Sequence, residues 1–248
     1  LSEGKMERVG ADLGAWTHSD AGEPAAKQTL PIPDYAFGIR MMLEALQKKA
    51  IRSLDEIGCV AFKVVHAKDV TGVQLLNEHV LAAMAAFNTV APSHNPPYIA
   101  AIRQFQKALP DTPLVGSFET GFHANMPPEA YLYSIPLEVS KRYAIRRYGF
   151  HGASHEYIAG RTAELMGRKD FRLISCHLGG SGSLCAVVNG VSIDTNLGLS
   201  LQCGIMHNNR CGDIDPYILV YLMEDCGYTL EQVKTMMNKQ SGMLGMSG

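Results

Sequence analysis

The segment from Phe171 to Asp194 constrains the fold more than any other part of the chain. Asn189-Gly190 separates two apolar runs, Ser183 to Val188 and Val191 to Asp194. Asn-Gly between such runs is the strongest short-range signal for a β-hairpin, because both central residues of the favoured turn need positive φ. A further apolar run, Phe171 to His177, precedes the hairpin and reads as a buried strand. Leu178-Gly179-Gly180-Ser181-Gly182-Ser183 therefore lies where a strand ends. Glycines there let backbone N–H groups approach phosphate oxygens, with Ser181 and Ser183 as further donors. A tight strand-to-strand turn accounts for the same residues without a ligand.

Elsewhere helical and strand patterns alternate along the chain. Helical spacing predicts helices over Phe37 to Lys49, Gly72 to Asn88, Tyr98 to Ala108, Ala153 to Met166, Pro216 to Asp225 and Leu230 to Asn238. A basic helix is expected to end at Arg146-Arg147. Buried strands are expected at Ile57 to Val65 and Pro113 to Glu119. The prolines of Ala91 to Pro97 predict a loop. Leu1 to Asp34, polar and broken by glycines and prolines, reads as an irregular edge with one alternating segment near its start.

Charge removes whole classes of function. The 248 residues carry 22 Lys and Arg against 24 Asp and Glu, a formal charge of −2, so the basic surplus of a generic nucleic-acid binder is missing. The longest wholly apolar stretch, Val80 to Phe87, is far short of the roughly 20 residues that cross a bilayer. Glu3, Lys5, Glu7 and Arg8 do not fit a secretory signal, and a cytoplasmic protein is expected. The 6 cysteines lack C-x-x-C spacing and read as reduced, mostly as small buried hydrophobes.

Four sets of residues could carry chemistry. Arg210, in Asn208-Asn209-Arg210-Cys211-Gly212-Asp213-Ile214-Asp215-Pro216, offers a fork that can neutralise a phosphoryl group. Asp215 precedes Pro216 and reads as a helix cap. His66, His94, His123, His151, His155 and His177 fall near strand ends and loops. His151 and His155 are four apart, as a zinc site could use, but the H-E-x-x-H arrangement is absent; hydrogen-bonded structural histidines explain them as well. Lys63 and Glu119 lie on or at the ends of apolar strands, where each charge needs a partner or a ligand.

The strings Arg146-Arg147-Tyr148-Gly149-Phe150-His151-Gly152-Ala153-Ser154-His155, Cys176-His177-Leu178-Gly179 and Arg210-Cys211-Gly212-Asp213-Ile214-Asp215-Pro216 resemble the acetate kinase (acetokinase) family. Ala91-Pro92-Ser93-His94-Asn95-Pro96 and Phe118-Glu119-Thr120-Gly121-Phe122-His123 add to the likeness, which runs from Val9-Gly10 to Gly248. The resemblance implies an α/β fold of the actin-like ATPase superfamily, built on ribonuclease-H-like sheets. It implies two domains, residues 1–147 and the start of a nucleotide-binding domain at 148–248, with the site between them. The implied reaction moves the γ-phosphoryl of ATP to a small carboxylate, acetate, with Mg²⁺, giving acetyl phosphate and ADP.

By the same resemblance, Arg210 stabilises the transferring phosphoryl and His151 hydrogen-bonds it, with Glu119 and Lys63 as further catalytic positions. Val65, Ser93, Phe150 and Leu201 line the pocket for the acetate methyl, while His177, Gly179, Gly180, Ser181 and Gly182 face the nucleotide. A homodimer is implied. The sequence departs from the family pattern at Glu119, where the family has a catalytic aspartate, and at Lys63, where it has an arginine. Gly180 stands for an asparagine, Asn208-Asn209 for Gly-Thr, and Ser93 brings a hydroxyl to an apolar pocket. The family's opening strand is expected before Leu1 and most of its nucleotide-binding domain after Gly248, as in a fragment of a longer kinase or a shortened relative. A catalytically impaired homologue that binds nucleotide or carboxylate, or serves a structural role, is the second reading.

Overall fold

Three segments between Ser2 and Leu30 build a sheet rather than an irregular edge. The structure, a computed structural model, describes residues 2–20 and 22–248. β1 (Ser2–Glu7), β2 (Gly14–Asp20) and β3 (Ala26–Leu30) form an antiparallel meander in the order β1-β2-β3. The sequence hides it because almost every side chain of β1 and β3 is polar and at least partly exposed, so the period-two contrast that marks a half-buried strand is faint. Trp16, 7% exposed, supplies the apolar anchor and stacks on His18 with ring centroids 5.5 Å apart.

α1 (Tyr35–Lys49) has the expected helix and is capped by Asp34, whose Oδ1 accepts from the Phe37 N–H at 2.7 Å. Its buried face, Ile39 and Leu43, joins a core with Val80, Leu81 and Met84 of α2 (Glu78–Ala86) and Ile102 and Phe105 of α3 (Asn95–Ala108). These helices cover a sheet ordered β4-β6-β5, made of β4 (Val60–Val64), β5 (Val73–Leu75) and β6 (Leu114–Phe118). β4 runs parallel to β6 and β5 antiparallel to it.

Three expectations change here. The helix expected from Gly72 begins only at Glu78, where the Asn77 side chain caps it, and Val73 to Leu75 is a strand whose apolar spacing fits either element. The loop expected to Pro97 ends early, since Pro96 and Pro97 occupy the first turn of α3, where a missing N–H costs no hydrogen bond. β4 is not buried throughout; it alternates, with Ala61 and Lys63 exposed.

After a short α4 (Pro128–Tyr131) and α5 (Leu137–Tyr143), the chain reaches α6 (Gly152–Met166). The basic helix stops at Tyr143, because Ala144 turns left-handed with φ 54°, and Arg146 and Arg147 fall in a loop. β7 (Arg172–Leu178), β8 (Gly182–Val188) and β9 (Val191–Thr195) form the expected antiparallel meander, with Asn189 and Gly190 at φ 51° and 80°. One face packs on α6; the other leaves Ile174 and Leu178 exposed, so β7 is a half-covered strand rather than a buried one. α7 (Tyr217–Glu224) and α8 (Leu230–Lys239) match expectation; the cap position of α7 falls on Pro216 rather than on Asp215, whose Oδ1 still accepts from the Tyr217 N–H at 2.9 Å.

α9 (Gly242–Ser247) arises from a glycine-rich stretch with no helical signature. No helix of the described residues is long and apolar enough to cross a membrane. All six cysteines are free, but only Cys185 is buried; Cys59, Cys176 and Cys226 are exposed, Cys176 on the uncovered face of β7 with Ile174 and Leu178.

Candidate active site

Parallel pairing of β4 and β6 aligns Lys63 with Ser117 and brings both strand ends to one edge. The Lys63 ammonium and Glu119 Oε1 are 3.2 Å apart, so the two charges that needed partners find each other. The lysine side chain is 57% exposed and the glutamate 8%. Glu119 Oε2 is buried without a hydrogen-bond partner. The Glu119 backbone is fixed on both sides, by its N–H on the Val64 carbonyl at 2.9 Å and by its carbonyl on the Gly152 N–H at 3.0 Å. The second bond ties β6 to the start of α6; a side chain at 152 would collide with the Glu119 carbonyl, so glycine is required there.

His151 precedes that glycine in a left-handed conformation, φ 59°. Its ring stacks on His177 of β7 with centroids 4.0 Å apart, and its Nδ1 lies 2.8 Å from Ser183 Oγ of β8. Burial, aided by His177 and His155, then by Lys63 and Arg210, pushes the His151 pKa down to about 3. At neutral pH the ring is uncharged, with the positive charges of Lys63 and Arg210 acting on it. His177 in turn pairs with Ser154 Oγ at 2.9 Å.

Arg210 sits on a loop held from several directions. Asp213 clamps its base, accepting from the Gly204 N–H at 2.8 Å while its own N–H donates to the Gly204 carbonyl at 2.9 Å. The Asn208 N–H donates to the Gly180 carbonyl at 3.0 Å, joining this loop to the glycine loop. α9 closes the far side through Met243 and Leu244 N–H groups on the His207 and Asn208 carbonyls. Among the described residues the Arg210 guanidinium has no carboxylate partner and no side-chain hydrogen bond. Burial lowers its pKa, yet a guanidinium stays charged at neutral pH.

A cleft of 470 Å³ opens beside Arg210 and is bordered by Ser93, His94, Gly180, Leu201 and Lys239. Beneath it Val65, Phe150 and Leu201 pack with Ala91 and Leu197 in one buried apolar cluster. The sequence-predicted pocket residues thus come together, with Ser93 exposed at the rim. His94 belongs with them, since burial and then the charges of Arg210 and Lys63 lower its pKa. Motif reasoning left His94 out of the site; the signal was its place in the Ser93-His94-Asn95 turn that opens α3.

The glycine loop is less open than its composition suggested. The Gly182 N–H donates to His207 Nδ1 at 3.0 Å and is engaged internally, whereas Ser181 Oγ is buried and unpartnered. His155, weighed from the sequence with His151 as a zinc pair or as a structural histidine, is fully buried and bonded through Nε2 to the same Ser183 hydroxyl as His151, at 2.8 Å. Among the described residues no group of three or more His, Cys, Asp or Glu is arranged to hold a metal by itself. Mg²⁺ does not need one, because it binds through one or two carboxylates plus substrate phosphates and water. The orphaned Glu119 Oε2 suits that mode.

An α/β scaffold thus carries a small cleft bordered by Arg210 and His94 over an apolar floor, and the positive charges of Lys63 and Arg210 both act on His94 and on His151. The sequence model of the Acetokinase family matches residues 1–248, and the chain belongs to that family. It is 43% identical, over alignments 252 positions long, to the acetate kinases of Bacillus cytotoxicus and Geobacillus kaustophilus; each alignment covers 100% of this chain. The chain spans 63% of the length of these relatives. A propionate kinase from Francisella tularensis superposes with a TM-score of 0.93 at 33% identity, and Porphyromonas gingivalis acetate kinase with 0.86 at 31%. Both cover 100% of this chain and 64% of theirs. The α/β fold implied by the motifs is the fold observed.

Proposed function

We propose that this cleft transfers the γ-phosphoryl of ATP to a small carboxylate, acetate, to form acetyl phosphate and ADP. One observation carries the reading: Arg210, with no carboxylate partner among the described residues, and His94 border a cleft whose wall includes Leu201 of the apolar cluster with Val65 and Phe150, and the charges of Arg210 and Lys63 act on both His94 and His151. An anion with a short alkyl end fits that polarity. The kinase names of the relatives agree with it.

Arg210, unpartnered by any carboxylate, stabilises the charge on the phosphoryl oxygens in flight. His151 hydrogen-bonds the same group. Lys63 attracts the carboxylate, and Glu119 orients the ammonium. Val65, Phe150 and Leu201 enclose the methyl group, with Ser93 at the mouth. His177, Gly179, Gly180, Ser181 and Gly182 form the nucleotide side, Ser181 Oγ being its buried free hydroxyl. Mg²⁺, held through Glu119 and the phosphates, supplies charge neutralisation when bound.

Residues 1–147 contribute Lys63 and Glu119, and residues 148–248 contribute His151, His177 and Arg210, as two domains flanking the cleft. Six free cysteines suit a reducing compartment, and we assign the protein to the cytoplasm and to a homodimer, the latter open to light scattering. The test is ATP formation from acetyl phosphate, ADP and Mg²⁺. Turnover that falls by about 10²-fold or more in Arg210→Ala is expected. Absence of turnover, or turnover indifferent to Arg210, would refute the reading.

A further inference from the structure

His151 is one end of a buried chain of alternating rings and hydroxyls. Its Nδ1 lies 2.8 Å from Ser183 Oγ; Ser183 Oγ lies 2.8 Å from His155 Nε2; and His155 Nδ1 lies 2.9 Å from Ser175 Oγ. Strand pairing explains the alignment. Ser175 faces Cys185 and His177 faces Ser183 across β7 and β8, so these side chains share the sheet face covered by α6, which carries His155. Ser183 and His155 are fully buried and Ser175 is 3% exposed.

Proton counting gives the chain a direction. A hydroxyl has a single proton to donate and a neutral imidazole has one N–H; two rings donating to Ser183 Oγ together would leave its own buried O–H without an acceptor, so the fully paired arrangements run in one direction. Burial holds His151 near pKa 3 and His155 near 4, and both rings are neutral at pH 7. If the bonds ran from His151 inward, the last O–H, that of Ser175, would need an acceptor, and among the described residues its side chain bonds only His155. A buried O–H would be left unpaired, an arrangement folded proteins avoid. Run outward, Ser175 donates to His155 Nδ1, His155 Nε2–H donates to Ser183, and Ser183 donates to His151 Nδ1. Every proton then has an acceptor except that on His151 Nε2, which has no protein partner among the described residues.

We propose that Ser175, His155 and Ser183 form a one-way hydrogen-bond relay that fixes His151 as an Nε2–H donor, which makes Ser183 a positioning residue for anion binding in the cleft. The relay rests on the phosphotransfer reading only for its purpose; its direction rests on the hydrogen bonds. A histidine free to choose its tautomer would present a lone pair part of the time, and a lone pair repels phosphoryl oxygens.

Nitrogen NMR of the ¹⁵N-histidine-labelled protein at pH 7 tests this directly, with His151 assigned by comparison with His151→Asn. The expected spectrum shows His151 protonated on Nε2 and bare on Nδ1, and Ser183→Ala shifts it to a mixture of both forms. A wild-type His151 protonated on Nδ1, or a Ser183→Ala spectrum unchanged at His151, would overturn the proposal. The wild-type spectrum decides the matter alone if the variant does not fold. In turnover assays Ser183→Ala should lower kcat about 3- to 10-fold, the worth of one neutral hydrogen bond, with KM for ADP unchanged. Phosphotransfer with His151 protonated on Nδ1 would remove the relay and leave the function standing. The predicted tautomer without any phosphotransfer would do the reverse.

Discussion

Lys63 Nζ lies 3.2 Å from Glu119 Oε1, joining an ammonium that is more than half exposed to a carboxylate that is almost wholly buried. The burial asymmetry makes the two partners unequal. Lys63→Met strands a buried carboxylate and should cost about 1–3 kcal/mol, whereas Glu119→Gln leaves a solvated ammonium and should cost less. Urea unfolding of both variants checks the order. Equal losses would mean that the pair is held by something other than burial of Glu119.

Arg210 has no carboxylate partner among the described residues, so its charge is available to ligand rather than to the fold. Arg210→Lys keeps the charge and loses the planar fork. Its thermal unfolding should stay close to that of the wild type while kcat falls about tenfold or more. A large loss of stability would assign the arginine a structural role.

Four histidines should make the fold acid-sensitive. Burial is the leading cause that lowers His66, His123 and His155 to about 4 and His151 to about 3, from the ordinary value of 6.5. The unfolded chain therefore binds protons first as pH falls. Stability contributed by the neutral rings is complete above about pH 6.5 and declines as pH drops toward 4, by up to about 1 kcal/mol per pH unit for each ring. Denaturant midpoints measured from pH 7.5 to 5 should fall steadily. A flat profile would show that these rings are solvated.

Leu201 belongs to the apolar cluster and borders the cleft. Leu201→Ala opens room for a longer alkyl group. The ratio of kcat/KM for propionate over acetate should rise about tenfold or more, the usual scale of discrimination for one methylene. An unchanged ratio would place the alkyl group elsewhere.

The ion pair between Lys63 and Glu119 was half legible in the sequence. Lys63 and Glu119 stood on apolar strands where isolated charges are costly, and each demanded a partner; that they satisfy each other depends on parallel pairing of β4 with β6, which local patterning does not encode. The Asn189-Gly190 hairpin and α1 were readable because turn chemistry and helical period agree there. β1 to β3 escaped because their partly exposed polar residues blur alternation, and Val73 to Leu75 because three residues cannot separate a strand from a helix. α9 takes its shape from hydrogen bonds to the His207 and Asn208 carbonyls, a tertiary cause.

Within the site, motifs reached Arg210, His151 and the cluster around Phe150. Ser183 was noticed only as a donor in a glycine loop, and its bridging of His151 and His155 was invisible. The bonded partners lie 32 and 28 residues away in the chain, and an uncharged hydroxyl on a strand leaves no trace in composition.

The central claim is that a phosphoryl anion occupies the space between Arg210, Lys63 and His151. Titration calorimetry with acetyl phosphate tests it most directly, on the wild type and on Arg210→Ala and Lys63→Met. The account predicts saturable binding to the wild type, weakened about tenfold or more by each substitution, as befits a lost charge-assisted contact. Binding of equal strength in all three proteins would contradict it.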